Sequence, residues 1–206
     1  MLALELPLIS GHMDSDTALI HDCLAGNAAA FGSLIARHRD GVYNFVRHTV
    51  GSNADAQDLA QEAFVHAYAA LRRFRSGAPF EPWLYTIAAN LCRSYLRQAY
   101  RCPEFSDVDG VIENLPAPST ADPAIAVEQR DEHRRLLVAI HALPAEQRMV
   151  VILRHLQDRS YREIATILEI PISTVEHRLR SARHALWDQL HMTAAAPQGG
   201  VGDGLR

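Results

Sequence analysis

The sequence predicts an all-α protein: two small helical domains joined by a flexible acidic linker, the second containing a helix-turn-helix. Three observations predict it. Apolar residues recur three and four apart through residues 16–101 and again through 128–191, and no stretch alternates as a strand would. Residues 102–127 lose that period; they hold four prolines, five acids and no basic residue, which reads as a linker with little packed core. Glycine, proline and Ser/Asp signals fall between the periodic segments, where helices must start and stop.

The 206 residues suit one domain or two small ones. A hydrophobic share of 48% excludes wholesale disorder. No apolar run approaches the roughly 18–20 residues that span a bilayer. Cys23, Cys92 and Cys102 cannot make a disulfide framework and match no metal-knuckle spacing, so a reducing cytoplasm is the natural reading. A redox role for Cys92 and Cys102 stands beside the plainer one of buried or solvated thiols. The opening MLALELPLISGH lacks the basic stretch of a secretory signal. Met13 is read as the native start, against the alternative of a real, weakly ordered extension. Residues 1–15 and 192–206 are expected to be disordered.

Net charge is −4, but it is unevenly spread. Residues 1–36 carry −4, 37–101 carry +4, 102–132 carry −7 and 133–193 carry +3. Two basic blocks therefore flank an acidic segment, and the total conceals them. All twenty basic residues are Arg. Arg suits bidentate phosphate contacts, although a GC-rich genome also favours Arg codons.

Helices are expected over 17–25 and 28–50, the second burying Phe31, Leu34, Ile35, Val42, Phe45 and Val46, with Gly26-Asn27 between them. Ser52 with Asp55 starts a third, whose face carries Leu59, Ala63, Phe64, Ala67 and Leu71. Gly77-Ala78-Pro79 and Pro82 make a loop. A helix of about five turns follows, with Trp83, Leu84, Ile87, Leu91 and Leu96 on its apolar side. After the linker, Pro144 sits at a permitted first-turn position. Ser160 with Glu163, and Ser173 with Glu176, each read as a capping box.

The segment from Ser160 to Arg183 has the helix-turn-helix pattern. Ile164, Ala165 and Leu168 face inward from the first helix, Ile170-Pro171-Ile172 supplies the turn, and Val175 and Leu179 bury one face of the second. The opposite face carries Thr174, Glu176, His177, Arg178, Arg180, Ser181 and Arg183. A helix fits the DNA major groove; its N-terminal residues can reach base edges, and Arg178 and Arg183 suit phosphates. A solvated basic hairpin is the blander alternative. Glu176 has two readings, a cap on Ser173 or an acceptor for a cytosine amino group.

In the first domain, Asp55, Asp58, Gln61 and Glu62 lie on polar faces where a basic helical partner could dock; acids complementing a helix N-terminus is the alternative. Aromatic residues and arginines then interleave from Leu71 to Asn90, and Arg93, Arg97 and Arg101 follow at spacings of four. Stacking surfaces beside a basic row suit single-stranded nucleic acid. From composition alone Phe80 and Trp83 read as core. No nucleophile–base constellation, P-loop or HExxH pattern is present, and the eleven His residues are scattered.

Taken together, DAQDLAQEAF, FRSGAPFEPWLYTIAAN, the linker and the helix-turn-helix resemble an ECF (extracytoplasmic-function) RNA polymerase sigma factor over about residues 16–191. The resemblance implies a region 2 domain over 16–101, a linker over 102–127 and a region 4 domain over 128–191. It implies core-polymerase contacts, to the β′ and β subunits, through Asp58, Gln61 and Glu62 with Asp55 beside them, Phe64 being structural. Phe74 would line a pocket for a flipped −10 base with Ala70, Ile87 and Asn90, and residues 75–82 would be the specificity loop. Trp83 would stand near the upstream edge of the melted region, with Arg75, Arg93 and Arg97 on the same −10 surface. Thr174, Glu176, His177, Arg180 and Ser181 match −35 positions; an acid at Glu176 departs from the often basic residue there. Promoter DNA and an anti-sigma factor are the other implied partners, the latter holding the two domains compact. The protein would be cytoplasmic, with no cofactor, metal, small-molecule substrate or enzymatic activity. A stand-alone helix-turn-helix regulator would have no reason to carry the −10 string, and a sigma mimic of the known type would need a receiver domain.

Overall fold

The computed structural model describes residues 10–75, 77–99 and 123–194. Among them every regular element is a helix. The first domain holds α1 (Ser10–Leu24), α2 (Ala28–Val50), α3 (Asn53–Ala70), a single 3₁₀ turn (Leu71–Arg73) and α4 (Phe80–Ala99). The second holds α5 (Pro123–Ala142), α6 (Ala145–His155), α7 (Tyr161–Leu168) and α8 (Ile172–Ala194).

In the first domain α2, α3 and α4 pack on one another, with α1 laid across α2. Leu34, Val42, Phe45, Val46, Ala63, Leu84 and Ala88 are fully enclosed there. Gly51 ends α2 at φ 95°, a left-handed conformation that glycine adopts without steric cost. Ser52 caps α3 by accepting from the Asp55 N–H at 3.3 Å. α1 is tied down by Asp16, a buried carboxylate that accepts from Arg37 and meets Nε2 of His38 at 2.9 Å. A buried carboxylate needs such partners to be tolerated.

In the second domain α8 packs along α6, α7 and α5. Met149, Ile152, Ile164, Ile167, Val175 and Ala182 fill the space between them. Ser160 and Glu163 form the expected capping box: the Ser160 hydroxyl accepts from the Glu163 N–H, and Glu163 accepts from the Ser160 N–H at 2.8 Å. The Ser160 bonds outweigh the opposing effect of burial and hold the Glu163 carboxyl below its ordinary range.

Several boundaries move. α1 begins at Ser10, inside the segment 1–15 expected to be disordered. α5 begins at Pro123 and so takes the last residues of the expected 102–127 linker. Proline lacks only an N–H that a first-turn residue does not use, and Ala-Ile-Ala-Val follows it. α8 runs to Ala194, three residues past the expected end. Pro82 lies in the first turn of α4, so the loop before that helix stops at Pro79. The second capping box does not form. α8 starts at Ile172, with the Thr174 and Val175 N–H groups bonded to the Pro171 carbonyl, which places Ser173 inside the first turn. Arg101, Cys102 and most of the linker lie outside the described residues.

The two domains contact each other. α4 lies against α7 and α6, and α2 against α6. Arg148, only 5% exposed, donates to the carbonyls of Thr49 (2.6 Å) and Leu143 (3.1 Å) and to that of His141. These carbonyls belong to the C-terminal ends of α2 and α5, so one guanidinium meets the negative ends of two helices. Gly41, in mid-α2, permits a second tie. A Cβ there would meet the Tyr85 hydroxyl at 2.7 Å, and that hydroxyl donates to Gln157 Oε1 at 2.8 Å. Arg159 forms a two-bond pair with Glu81 of α4.

Candidate nucleic-acid and polymerase interface

The helix-turn-helix is built from α7 and α8. Glu169 closes α7 in the left-handed region at φ 55°, and Ile170-Pro171 turns the chain into α8. Val175, Leu179 and Ala182 bury one face of α8. At 100° per residue the opposite face carries Ser173, Glu176, His177, Arg180, His184 and Trp187. Glu176, His177, Arg180 and Arg183 are all exposed. Thr174 is half-buried at the edge of this face.

Arg178 and Ser181 do not belong to it. They lie on the flank of α8 that meets α6: Arg178 donates to Glu146 Oε2 at 2.6 Å, and Ser181 accepts from Gln147 at 3.2 Å. Neither lies on the outer face expected of it: at about 100° per residue both fall on its flank, and α6 packs against that flank. Glu176 makes no hydrogen bond among the described residues and cannot cap a helix that starts before Ser173. The outer stripe ends in Trp187, 64% exposed and stacked on His191 at 3.8 Å, an aromatic that the sequence reading did not single out.

The expected −10 residues sit around the 3₁₀ turn and α4. Phe74 is half-buried and packs on Trp83 (4.9 Å between centroids) and Phe80 (5.9 Å). Phe80 is core at 3% exposure, whereas Trp83 keeps one side open. Ala70 and Ile87 are half-buried, and Arg75, Asn90 and Arg97 are exposed. Asn90 accepts from Arg93 at 2.7 Å. Arg97 folds back on its own helix, bonding the Arg93 carbonyl and Ser94. Arg93 also donates to Glu146 Oε1 and to the Leu168 carbonyl, both at 3.1 Å. Cys92 is sealed inside the first domain, and burial pushes its thiol up to about 12, which removes the thiolate needed for redox chemistry near neutral pH.

On α3, Asp58, Gln61 and Glu62 project into solvent, Glu62 lying 3.7 Å from His66. Asp55 faces elsewhere: it accepts from the Tyr95 hydroxyl at 2.8 Å and ties α3 to α4. Burial, with that bond, raises Tyr95 to about 12. Beside the exposed strip, α2 and α3 leave an open apolar groove of about 740 Å³ lined by Phe31, Ile35, Tyr43, Gln61, Val65 and Tyr68. Val65 and Tyr68 are 58% and 50% exposed. The helical period already puts both off the face of Leu59, Ala63, Phe64 and Ala67; what the sequence did not show is that α2 leaves the groove beside them open.

Among the described residues no group of His, Cys, Asp or Glu could hold a metal ion, and no helix is long and apolar enough to cross a membrane.

Comparison with known proteins decides the family. The model of sigma-70 region 2 matches residues 34–102, and that of sigma-70 region 4 matches residues 133–186. The ECF RNA polymerase sigma-E factor of Escherichia coli K12 is 35% identical over 177 residues, spanning 84% of this chain and 92% of that protein. The chain belongs to the ECF sigma factors. The RNA polymerase sigma-H factor of Pseudomonas aeruginosa is 32% identical over 184 residues, 84% of this chain and 92% of that protein. Among solved structures, CnrH in complex with the cytosolic domain of CnrY superposes with a TM-score of 0.65 at 27% identity, covering 89% of this ECF sigma factor and all of CnrH. The Bartonella quintana sigma factor RpoE, solved with the anti-sigma factor NepR, gives a TM-score of 0.59 at 25% identity over 78% of this chain and 96% of that one. The region 2 match covers most of α2 and all of α3 and α4, and the region 4 match covers most of α5–α8.

Proposed function

We propose that this ECF sigma factor binds core RNA polymerase, reads −10 and −35 promoter elements with its two domains, and supports promoter melting and transcription initiation. The observation that carries the reading is the outer face of α8. It presents Glu176, His177, Arg180 and Arg183 to solvent from a helix whose other face is locked by Val175, Leu179 and Ala182. A helix of that diameter enters the major groove, where His and Arg reach base edges and phosphates. Thr174 would join them at the groove edge.

The first domain would take the −10 element. An extruded base would stack on the Phe74–Trp83 pair, with Ala70, Ile87 and Asn90 around it and Arg75 and Arg97 on the backbone; stacking of this kind offsets the few kcal/mol that extrusion costs. Core polymerase would dock on Asp58, Gln61 and Glu62, with the neighbouring groove taking apolar side chains of the same partner. Asp55 is assigned to helix packing. The two similar structures were solved with CnrY and with the anti-sigma factor NepR. A partner of that class is therefore proposed here, together with a cytoplasmic location.

Run-off transcription on a promoter library, with purified core polymerase, tests the proposal. Transcripts starting at discrete sites, lost when Asp58, Gln61 and Glu62 are changed together to Ala, are expected. Tight binding of duplex DNA with no initiation at any promoter would refute it and favour a stand-alone regulator.

A further inference from the structure

Trp187 stands in the open at the far end of the outer stripe of α8. It is 64% exposed, and its ring stacks on that of His191 at 3.8 Å between centroids. His191 is fixed in turn: its Nδ1 donates to the Trp187 carbonyl at 2.9 Å. The indole is therefore ordered before any partner arrives, which lowers the entropy cost of using it. Its N–H has no hydrogen-bond partner among the described residues.

The neighbours of Trp187 show what chemistry would cover it. Arg180, Arg183, His184 and Trp187 line one open hollow of about 450 Å³. The two arginines and His184 are exposed and make no hydrogen bond or ion pair among the described residues. Arg178, on the flank of the same helix, is by contrast committed to Glu146. The two acids of α8 lie apart from the hollow. Glu176 is about 16 Å away along the axis, and Asp188 is turned about 100° aside. An apolar side chain of a protein partner would meet a cationic rim here. A phosphate would meet two guanidinium groups and a neutral N–H donor.

Position along the helix sets which phosphate. A recognition helix puts its N-terminal residues on base edges. Trp187 lies about 15 Å beyond His177 along the axis, whereas the major groove is about 12 Å wide. With Glu176 and His177 at the bases, Trp187 is level with the sugar–phosphate strand that bounds the groove.

We propose that Trp187, braced by His191, is a backbone contact of the DNA-binding face: its indole N–H donates to a phosphate oxygen at the groove rim, beside Arg183 and His184, and adds affinity without sequence preference. The inference rests on the reading that α8 enters the major groove. Contacts of this kind fix register on the duplex and leave the choice of bases to other side chains.

Fluorescence anisotropy of the full chain on two labelled duplexes tests this, one carrying a promoter recovered by run-off selection and one of arbitrary sequence. Trp187→Ala should weaken both about tenfold, the worth of one hydrogen bond to a charged group. The slope of log K against log salt should stay as it was, because a neutral donor releases no counterion; Arg183→Gln should flatten it by about one. Trp187→Phe keeps a ring on His191 but lacks the N–H, and should bind as weakly as Trp187→Ala. Ethylating one phosphate beyond the base pairs read by α8 should weaken the wild type and leave Trp187→Ala unaffected. Unchanged duplex affinity in Trp187→Ala would overturn the proposal, and a loss seen only in binding to core polymerase would assign Trp187 to a protein contact instead. A loss on the promoter duplex alone would make it a base reader, and full affinity in Trp187→Phe would remove the donor; either result also overturns it. The arbitrary duplex needs neither polymerase nor promoter. A chain that loses tenfold there through Trp187→Ala yet directs no transcription would refute the sigma function and leave this contact standing.

Discussion

Arg148, on α6 of the second domain, donates a 2.6 Å hydrogen bond to the carbonyl of Thr49, in the last turn of α2 of the first. The guanidinium is buried and its acceptors at Thr49, His141 and Leu143 are backbone carbonyls. The domain junction is therefore built on helix ends, which remain unsatisfied unless something caps them.

Replacing Arg148 by Ala would strip those carbonyls of this donor. A loss of about 2–4 kcal/mol is expected, since each buried acceptor left unpaired costs about 1–3 kcal/mol and water recovers part of it. Urea unfolding measures this. Arg148→Lys should recover less than half, because one ammonium cannot match the planar fork.

His48 and His141 flank the same junction. Nδ1 of His48 and Nε2 of His141 are buried and have no hydrogen-bond partner among the described residues. Burial, with Arg47 and His133 adding repulsion, lowers His48 to about 4; burial, with Arg148 and His48, lowers His141 to about 4. Above the ordinary value of 6.5 both are neutral, folded or unfolded. Between 6.5 and 4 the unfolded chain takes up protons that the folded chain refuses, so stability falls as pH falls through that window. Urea midpoints at pH 7.5, 6 and 5 should decline, and the decline should shrink in a His48→Gln, His141→Gln double variant. An unchanged slope in that variant would assign the acid sensitivity elsewhere.

Glu176 has no capping duty once α8 begins at Ile172. Glu176→Ala should change stability by no more than about 0.5 kcal/mol, as for an exposed residue without a partner. It should relax preference at a single −35 base pair in a promoter selection. A loss of about 1 kcal/mol of stability with unaltered preference is the result a helix cap would give.

Phe74 and Asn90 separate on different measurements. Phe74 packs on Trp83 and Phe80, so Phe74→Ala should cost about 1–3 kcal/mol of stability as well as −10 discrimination. Asn90 is exposed and bonds only to Arg93 among the described residues. Asn90→Ala should spoil discrimination in run-off transcription with the unfolding midpoint nearly unmoved.

Ser160→Ala should cost about 1 kcal/mol, because both halves of the α7 capping box are made. Urea unfolding by circular dichroism checks it, and Ser173→Ala in α8 is the matched control expected to cost far less.

Much of this was legible along the chain because it is local. The period of Phe31, Leu34, Val42 and Phe45 marks a helix and its buried face wherever that helix ends up. Ser160 and Glu163 are three residues apart, so their box needs nothing distant. The order of the DAQDLAQEAF string, the −10-like string and the helix-turn-helix was enough to reach the family. Ser173 with Glu176 has the same local pattern as the α7 box, yet Pro171 starts the helix earlier and the box never forms.

Charge pattern and helical period could not tell which exposed-looking residues are already taken. Arg178 and Arg180 are two positions apart on one helix; one bonds Glu146 and the other faces solvent. Asp55 and Asp58 are one turn apart; one holds Tyr95 and the other is free to meet a partner. Pairings such as Arg93 with Glu146, Tyr85 with Gln157 and Arg148 with Thr49 span 53 to 99 residues. They depend on two amphipathic units settling against each other, and no periodicity within either unit encodes that choice.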